Sequence, residues 1–181
     1  MRYRAVLYDM DGTVLDTLAD LTDSVNYTLR RFSMPERTAA EVRRFLGNGA
    51  LRLIKEAVPA GTDEKTVQEV LDFYKPYYDA HCRIKTAPYD GIPQLMEKLR
   101  EAGVRQAVVS NKPDTAVREL AAVFFPGLLE SAVGESASVR RKPCPDTVEA
   151  AMRVMGLEKR DCVYVGDSEV DIATARNAGM D

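Results

Sequence analysis

The chain has no tryptophan, one histidine (His81) and three cysteines, Cys82, Cys144 and Cys162. The cysteines are widely spaced, and they form no C-x-x-C and no Cys/His cluster. Neither a disulfide framework nor a structural zinc site is expected. Free thiols in a reducing compartment are the expectation. No apolar run approaches the ~20 residues that span a bilayer. The segment after Met1-Arg2-Tyr3-Arg4 is apolar only from Ala5 to Tyr8, too short for the core of a signal peptide. A cytoplasmic location is expected on that ground. No sign of charge is in large excess either: the net charge is -3, with both signs interspersed. Nothing electrostatic favours nucleic acid or an anionic membrane surface as a partner. Internal repeats and low-complexity segments are absent.

What remains is 181 residues, 45% of them apolar, enough for one full core or a core with a small satellite. Tyr3 to Tyr8 has the pattern of a short buried strand. From Leu18 the spacing becomes helical, through Leu21, Val25 and Leu29, then Val42, Phe45 and Leu46. It continues through Leu51, Ile54 and Val58, then Val67, Leu71 and Tyr74. Breaks fall at Ser33-Met34-Pro35, Gly47-Asn48-Gly49 and Pro59-Ala60-Gly61. About four helices are expected there. His81 is an ordinary residue of that segment.

After Thr86 to Gly91 the texture changes again. Helices are predicted over 92–102, 113–124, 145–155 and 170–178, and strands over 104–110, 131–134 and 162–166. Alternation of this kind implies a parallel sheet with helical crossovers. The expected fold is α/β: a Rossmann-like parallel-sheet core over 1–16 and 83–181, with an all-helical domain inserted at 17–82.

In such a sheet, ligands sit at the carboxyl ends of the strands. The first strand ends at Asp9, with Asp11 two residues on. The second ends at Ser110-Asn111. The last ends at Gly166-Asp167-Ser168, with Asp171 four residues past Asp167. "RRKPCPD" (Arg140 to Asp146) is a further polar loop. Four carboxylates at one edge repel one another and stay ionised together only around a cation. Ligands that are all oxygen favour a hard ion such as Mg²⁺. Lys142, the Ser110 hydroxyl and the N–H groups of the helix starting near Pro113 suit a phosphate. Ser110 also stands where a helix N-cap would. A carboxylate beside Mg²⁺ can attack phosphorus, and a second can exchange the protons that the reaction needs. Cys144 lies two residues after Lys142, an incidental small residue on this reading.

With these residues in place, the chain resembles the haloacid dehalogenase-like phosphatases over its whole length. The first motif of that family, D-x-D-G-T, is matched by Asp9-Met10-Asp11-Gly12-Thr13. The second, an apolar strand ending in Ser or Thr, is matched by Ser110 in "VVSNKP". The third is a loop lysine, Lys142, and the fourth is G-D-x-x-x-D, Gly166, Asp167 and Asp171. The resemblance implies Asp9 as nucleophile and Mg²⁺ ligand. It implies Asp11 as general acid and base, with its backbone carbonyl on the metal. Ser110 and Lys142 would hold phosphoryl oxygens, Asp167 would complete the protein ligands, and Gly12, Thr13, Asn111 and Asp171 would support the site.

The helical insertion resembles the cap of the phosphoglycolate phosphatase-like branch, on "FLGNGA" (Phe45 to Ala50) and "PYDGI" (Pro88 to Ile92). Gly47, Asn48 and Gly49, with Arg43 and Arg52, are candidates to read the substrate. The implied activity is hydrolysis of a small phosphorylated metabolite, 2-phosphoglycolate first, through an aspartyl-phosphate. A sugar-phosphate mutase, a pyrophosphatase or nucleotide phosphatase, and an inert binding domain stand as alternatives. A dehalogenase is disfavoured, because Asp11 has no use there, and a phosphonate-cleaving relative is disfavoured because that branch usually carries a small residue at this position. Members of the family usually continue past "NAGMD" with another strand and helix, whereas the sequence here ends at Asp181.

Overall fold

A computed structural model describes residues 2–181. Strand β1 (Ala5–Tyr8) leads to the short β2 (Leu15–Asp16). Four helices follow: α1 (Leu18–Arg31), α2 (Ala39–Phe45), α3 (Gly49–Ala57) and α4 (Glu64–His81). The chain returns through β3 (Ala87–Pro88), which pairs with β2. It then alternates: α5 (Ile92–Glu101), β4 (Arg105–Pro113), α6 (Asp114–Phe124), β5 (Ser131–Glu135), α7 (Asp146–Met155), β6 (Cys162–Val165) and α8 (Glu169–Ala178). Two compact units result. One comprises the chain up to Leu15 with Pro88–Asp181, and the other is Asp16–Ala87. No helix among the described residues is long and apolar enough to cross a membrane.

The first unit holds a parallel sheet in the order β5-β4-β1-β6. β1 is central: Ala5 lies opposite Arg105 on one side and Cys162 on the other, and Tyr8 lies opposite Val108 and Val165. Leu7, Val109 and Val133 share a core with Val148, Ala151 and Met155 of α7. Near-continuous apolar runs suit a sheet covered on both faces. One buried polar group is built in and satisfied. The Gln106 amide accepts from the Tyr8 hydroxyl at 3.0 Å and donates to the Met96 carbonyl at 2.8 Å. This pairing avoids the cost of an unmatched buried amide.

β4 runs three residues further than the apolar pattern predicts, through Asn111 and Lys112 to Pro113, with irregular register between Val109 and Pro113. Ser110 therefore lies inside a strand and caps no helix. The N-cap of α6 is Pro113, which has no side-chain cap bond. Apolar patterning ends the strand early because Asn111 and Lys112 are polar yet buried, and Pro113 is an exposed breaker.

In the second unit, α1 packs on α4 through an aromatic row. Tyr27 stacks on Tyr77 at 4.0 Å between ring centroids, Tyr77 stacks on His81 at 4.0 Å, and Phe73 meets both Tyr27 and Phe32. Phe73, Tyr77 and His81 recur every four residues, which places them on one helical face. Tyr74 and Tyr78 stack with each other at 5.6 Å. The Asp20 carboxylate is 2% exposed and accepts from the backbone of Lys85, the backbone of Thr86 and the Thr86 hydroxyl, all within 2.8–3.0 Å. It thus ties the segment after α4 to the first turn of α1 and makes 83–87 part of the helical unit. Asp20→Ala leaves these buried donors unmatched. It should lower unfolding free energy by roughly 2–4 kcal/mol in urea titration; a loss below about 0.5 kcal/mol would show that the clamp contributes nothing.

Candidate active site

β1 delivers Asp9 to the carboxyl edge of the sheet, where its N–H donates to the Val165 carbonyl at 2.8 Å. The Asp9 residue is only 7% exposed. Lys142, 3% exposed, reaches three partners with its ammonium group: Asp9 Oδ1 at 2.6 Å, Asp171 Oδ1 at 2.7 Å and the Tyr164 hydroxyl at 3.1 Å. The backbone of Lys142 is held at both polar groups by Asn111. Its N–H donates to Asn111 Oδ1 at 2.6 Å, and its carbonyl accepts from Asn111 Nδ2 at 3.1 Å. The loop carrying Lys142 is thereby fastened to the end of β4.

Asp171 occupies the first turn of α8 and closes a capping box with Ser168. One of its oxygens accepts from Lys142 and from the Tyr164 hydroxyl at 2.8 Å. The other accepts from the Ser168 N–H at 3.0 Å and the Ser168 hydroxyl at 2.5 Å. Gly166 makes room for this carboxylate, since a Cβ there would sit 2.4 Å from it.

Burial pushes the Asp9 carboxyl up to about 7, aided by Asp171 and Asp11 and opposed by Lys142. Burial works against the charge of Lys142, but Asp9 and Asp171 hold its ammonium above the usual lysine value. Burial likewise opposes ionisation of Asp171, yet Lys142, Ser168 and Tyr164 keep its pKa below the ordinary aspartate value. Burial, then the nearby Asp9 and Asp171 charges, raise the Tyr164 phenol, which stays a hydrogen-bond donor.

Past Asp9 the chain turns sharply. Gly12 adopts φ +88° and its N–H donates to the Leu15 carbonyl at 3.0 Å. Thr13 Oγ1 donates to Asp167 Oδ1 at 3.0 Å. Asp11 pairs with Lys112 Nζ at 3.0 Å, and the Lys112 side chain is 8% exposed. Ser110 is 1% exposed and lies two residues past Val108, the partner of Tyr8; its Oγ accepts from the Lys112 N–H at 3.3 Å. Sequence patterning passes over Lys112 and Tyr164. Alternation along β4 could not have found Lys112, because the register shifts between Val109 and Pro113.

Oxygens of Asp9, Asp167 and Asp171 lie within 4.8 Å of one another. Asp171 spends its oxygens on Lys142, Tyr164 and Ser168, which leaves Asp9 and Asp167 as the carboxylates suited to a cation. Among the described residues, the four carboxylates of Asp9, Asp11, Asp167 and Asp171 face the ammonium groups of Lys112 and Lys142, so negative charge is in excess in this cluster. One divalent ion with oxygen preference fits that donor set.

The remaining candidates belong to the helical unit. Gly47 has φ +95° and Gly49, first residue of α3, has φ +79°. Asn48 is exposed at the N-cap of α3, with no side-chain cap bond. Arg43 is exposed on α2, and Arg52 pairs with Glu56 at 2.5 Å.

Residues 6–181 match the haloacid dehalogenase-like hydrolase family, and the chain belongs to it. Among its relatives, phosphoglycolate phosphatase 1 of Pseudomonas aeruginosa is 31% identical over 98% of this chain and 67% of its own length. An N-acetylmuramic acid 6-phosphate phosphatase of the same organism is 30% identical over 99% of this chain and 80% of its own. A crystal structure from Lactobacillus delbrueckii subsp. bulgaricus, provisionally named a phosphoglycolate phosphatase, superposes with a TM-score of 0.94 at 41% identity. It covers all of this chain and 85% of the other. The chain thus falls in the phosphoglycolate phosphatase-like branch of the family.

Gly12→Ala tests the turn after Asp9. The added Cβ would meet Asp167 Oδ2 at 2.5 Å, in a backbone conformation that costs a residue with a side chain roughly 1–2 kcal/mol. We expect p-nitrophenyl phosphate hydrolysis to fall at least tenfold in protein that still melts cooperatively. Unchanged activity would show that Asp167 and the turn can move apart freely.

Proposed function

We propose that the chain is a Mg²⁺-dependent phosphatase of small phosphorylated metabolites that works through a phosphorylated Asp9, with 2-phosphoglycolate the first substrate to test. The observation that carries this reading is the buried Asp9 carboxylate, aimed by Lys142 at the sheet edge with Asp11 two residues beyond. A buried carboxylate of raised pKa is a poor structural choice and a good nucleophile once a cation restores its charge.

The roles follow from the positions. An oxygen of Asp9 attacks phosphorus, and the bond from phosphorus to the leaving oxygen breaks. Asp11 gives that oxygen a proton, then takes one from the water that attacks phospho-Asp9 and releases phosphate. Ser110 and Lys142 orient phosphoryl oxygens, and Asp171 with Tyr164 holds the Lys142 ammonium in place. Asn111 fixes the Lys142 loop, and Thr13 orients Asp167. Asp9, Asp167 and the Asp11 backbone carbonyl would hold Mg²⁺, which supplies charge neutralisation for the phosphoryl group.

On this reading the sheet unit is the catalytic core and the helical unit is a cap. Gly47, Asn48, Gly49, Arg43 and Arg52 are its candidates for reading the leaving group. Because one relative is an N-acetylmuramic acid 6-phosphate phosphatase, that ester is worth testing beside phosphoglycolate.

Phosphate release with and without Mg²⁺ tests the proposal. Asp9→Asn, nearly isosteric but a poor nucleophile, should fall below about one per cent of native turnover in protein that still melts cooperatively. Substantial activity in Asp9→Asn, or full native activity in excess chelator, would overturn the reading.

A further inference from the structure

The core carries a second buried lysine that the roles above do not use. Lys112 stands at the carboxyl end of β4 and is 8% exposed, and its ammonium lies 3.0 Å from Asp11 Oδ1. Its main chain is confined. The Lys112 carbonyl packs against Gly134 so closely that a Cβ there would lie 2.6 Å from it. Lys142 is already committed to Asp9, Asp171 and Tyr164. The two lysines therefore divide the site: one serves the attacking carboxylate, the other the carboxylate that exchanges protons with the leaving group.

We propose that Lys112 is a specificity-determining residue that reads an anionic group on the leaving half of the substrate. This rests on the proposed role of Asp11 as proton donor to the leaving oxygen. In that role Asp11 turns toward the ester oxygen, while the Lys112 ammonium stays within about two hydrogen-bond lengths of it, roughly 6 Å. A carboxylate one methylene away from the ester oxygen falls inside that reach. An anion brought beside this buried ammonium gains a charge-assisted hydrogen bond. An uncharged leaving group gains none. Selection among phosphate esters would then begin in the sheet unit, for acidic esters over neutral ones of equal length.

The test compares kcat/KM for 2-phosphoglycolate and 2-hydroxyethyl phosphate, equal in chain length but differing in charge, with Mg²⁺ present. Native protein should favour the acidic ester by about tenfold to a hundredfold, the range of a charge-assisted hydrogen bond. Lys112→Met should lose most of that preference, and Lys112→Arg, which keeps the cation, should retain it. A purely structural lysine would lower both substrates together and leave the ratio alone. Equal losses in Lys112→Met, or a native preference below about threefold, would overturn the inference; the native comparison stands even where a variant fails to fold. Asp9-dependent hydrolysis of p-nitrophenyl phosphate with no acidic preference would sink this inference alone. No hydrolysis of any of the three esters would sink the proposed phosphatase activity with it.

Discussion

The ammonium group of Lys142 joins three distant stretches of the chain: the end of β1 through Asp9, the first turn of α8 through Asp171, and its own loop before α7. Each of these charges is expensive to bury alone, and each is tolerable beside the others. Removing any one would leave the rest mismatched, by an amount comparable to much of a domain's net stability. The order of the sheet follows the same constraint. β1 lies between β4 and β6, so the segments that supply Asn111, Asp9 and the Asp167–Asp171 turn end side by side. Chemistry and folding therefore draw on the same contacts, and a site of this kind cannot be loosened without cost to the sheet beneath it.

The charges also explain why the site wants something it does not contain in its amino acids. Four carboxylates and two ammonium groups leave a negative excess at the edge of a low-dielectric sheet. Protonation of Asp9 is one way to relieve it, and its pKa of about 7 shows how near that outcome lies. A divalent cation would be the other, and it would keep Asp9 charged.

Much of this was legible in the residues. Strand–helix alternation gave the parallel sheet, and the polar residues that end its strands gave the cluster found at its carboxyl edge. The helical insertion was legible from spacing alone. Three things were not. Apolar patterning ended β4 at Ser110, since nothing in a run of Ser, Asn, Lys and Pro reveals that the strand continues or that the fold buries Asn111 and Lys112. Tyr164 read as an ordinary sheet residue, for its hydroxyl matters only once Lys142 is brought to it. Asp20 carries no motif, and its partners lie more than sixty positions away.

The aromatic row in the helical unit bears on how this protein can be observed. With no tryptophan, its near-ultraviolet signal comes chiefly from eight tyrosines. Tyr27, Tyr74, Tyr77 and Tyr78 all lie in the helical unit and all stack on another ring, whereas Tyr3, Tyr8, Tyr89 and Tyr164 belong to the sheet unit. Stacked chromophores give circular dichroism that vanishes when their packing is lost. The native molecule thus carries a spectroscopic reporter of its helical unit, readable without a label while the phosphate chemistry is followed separately.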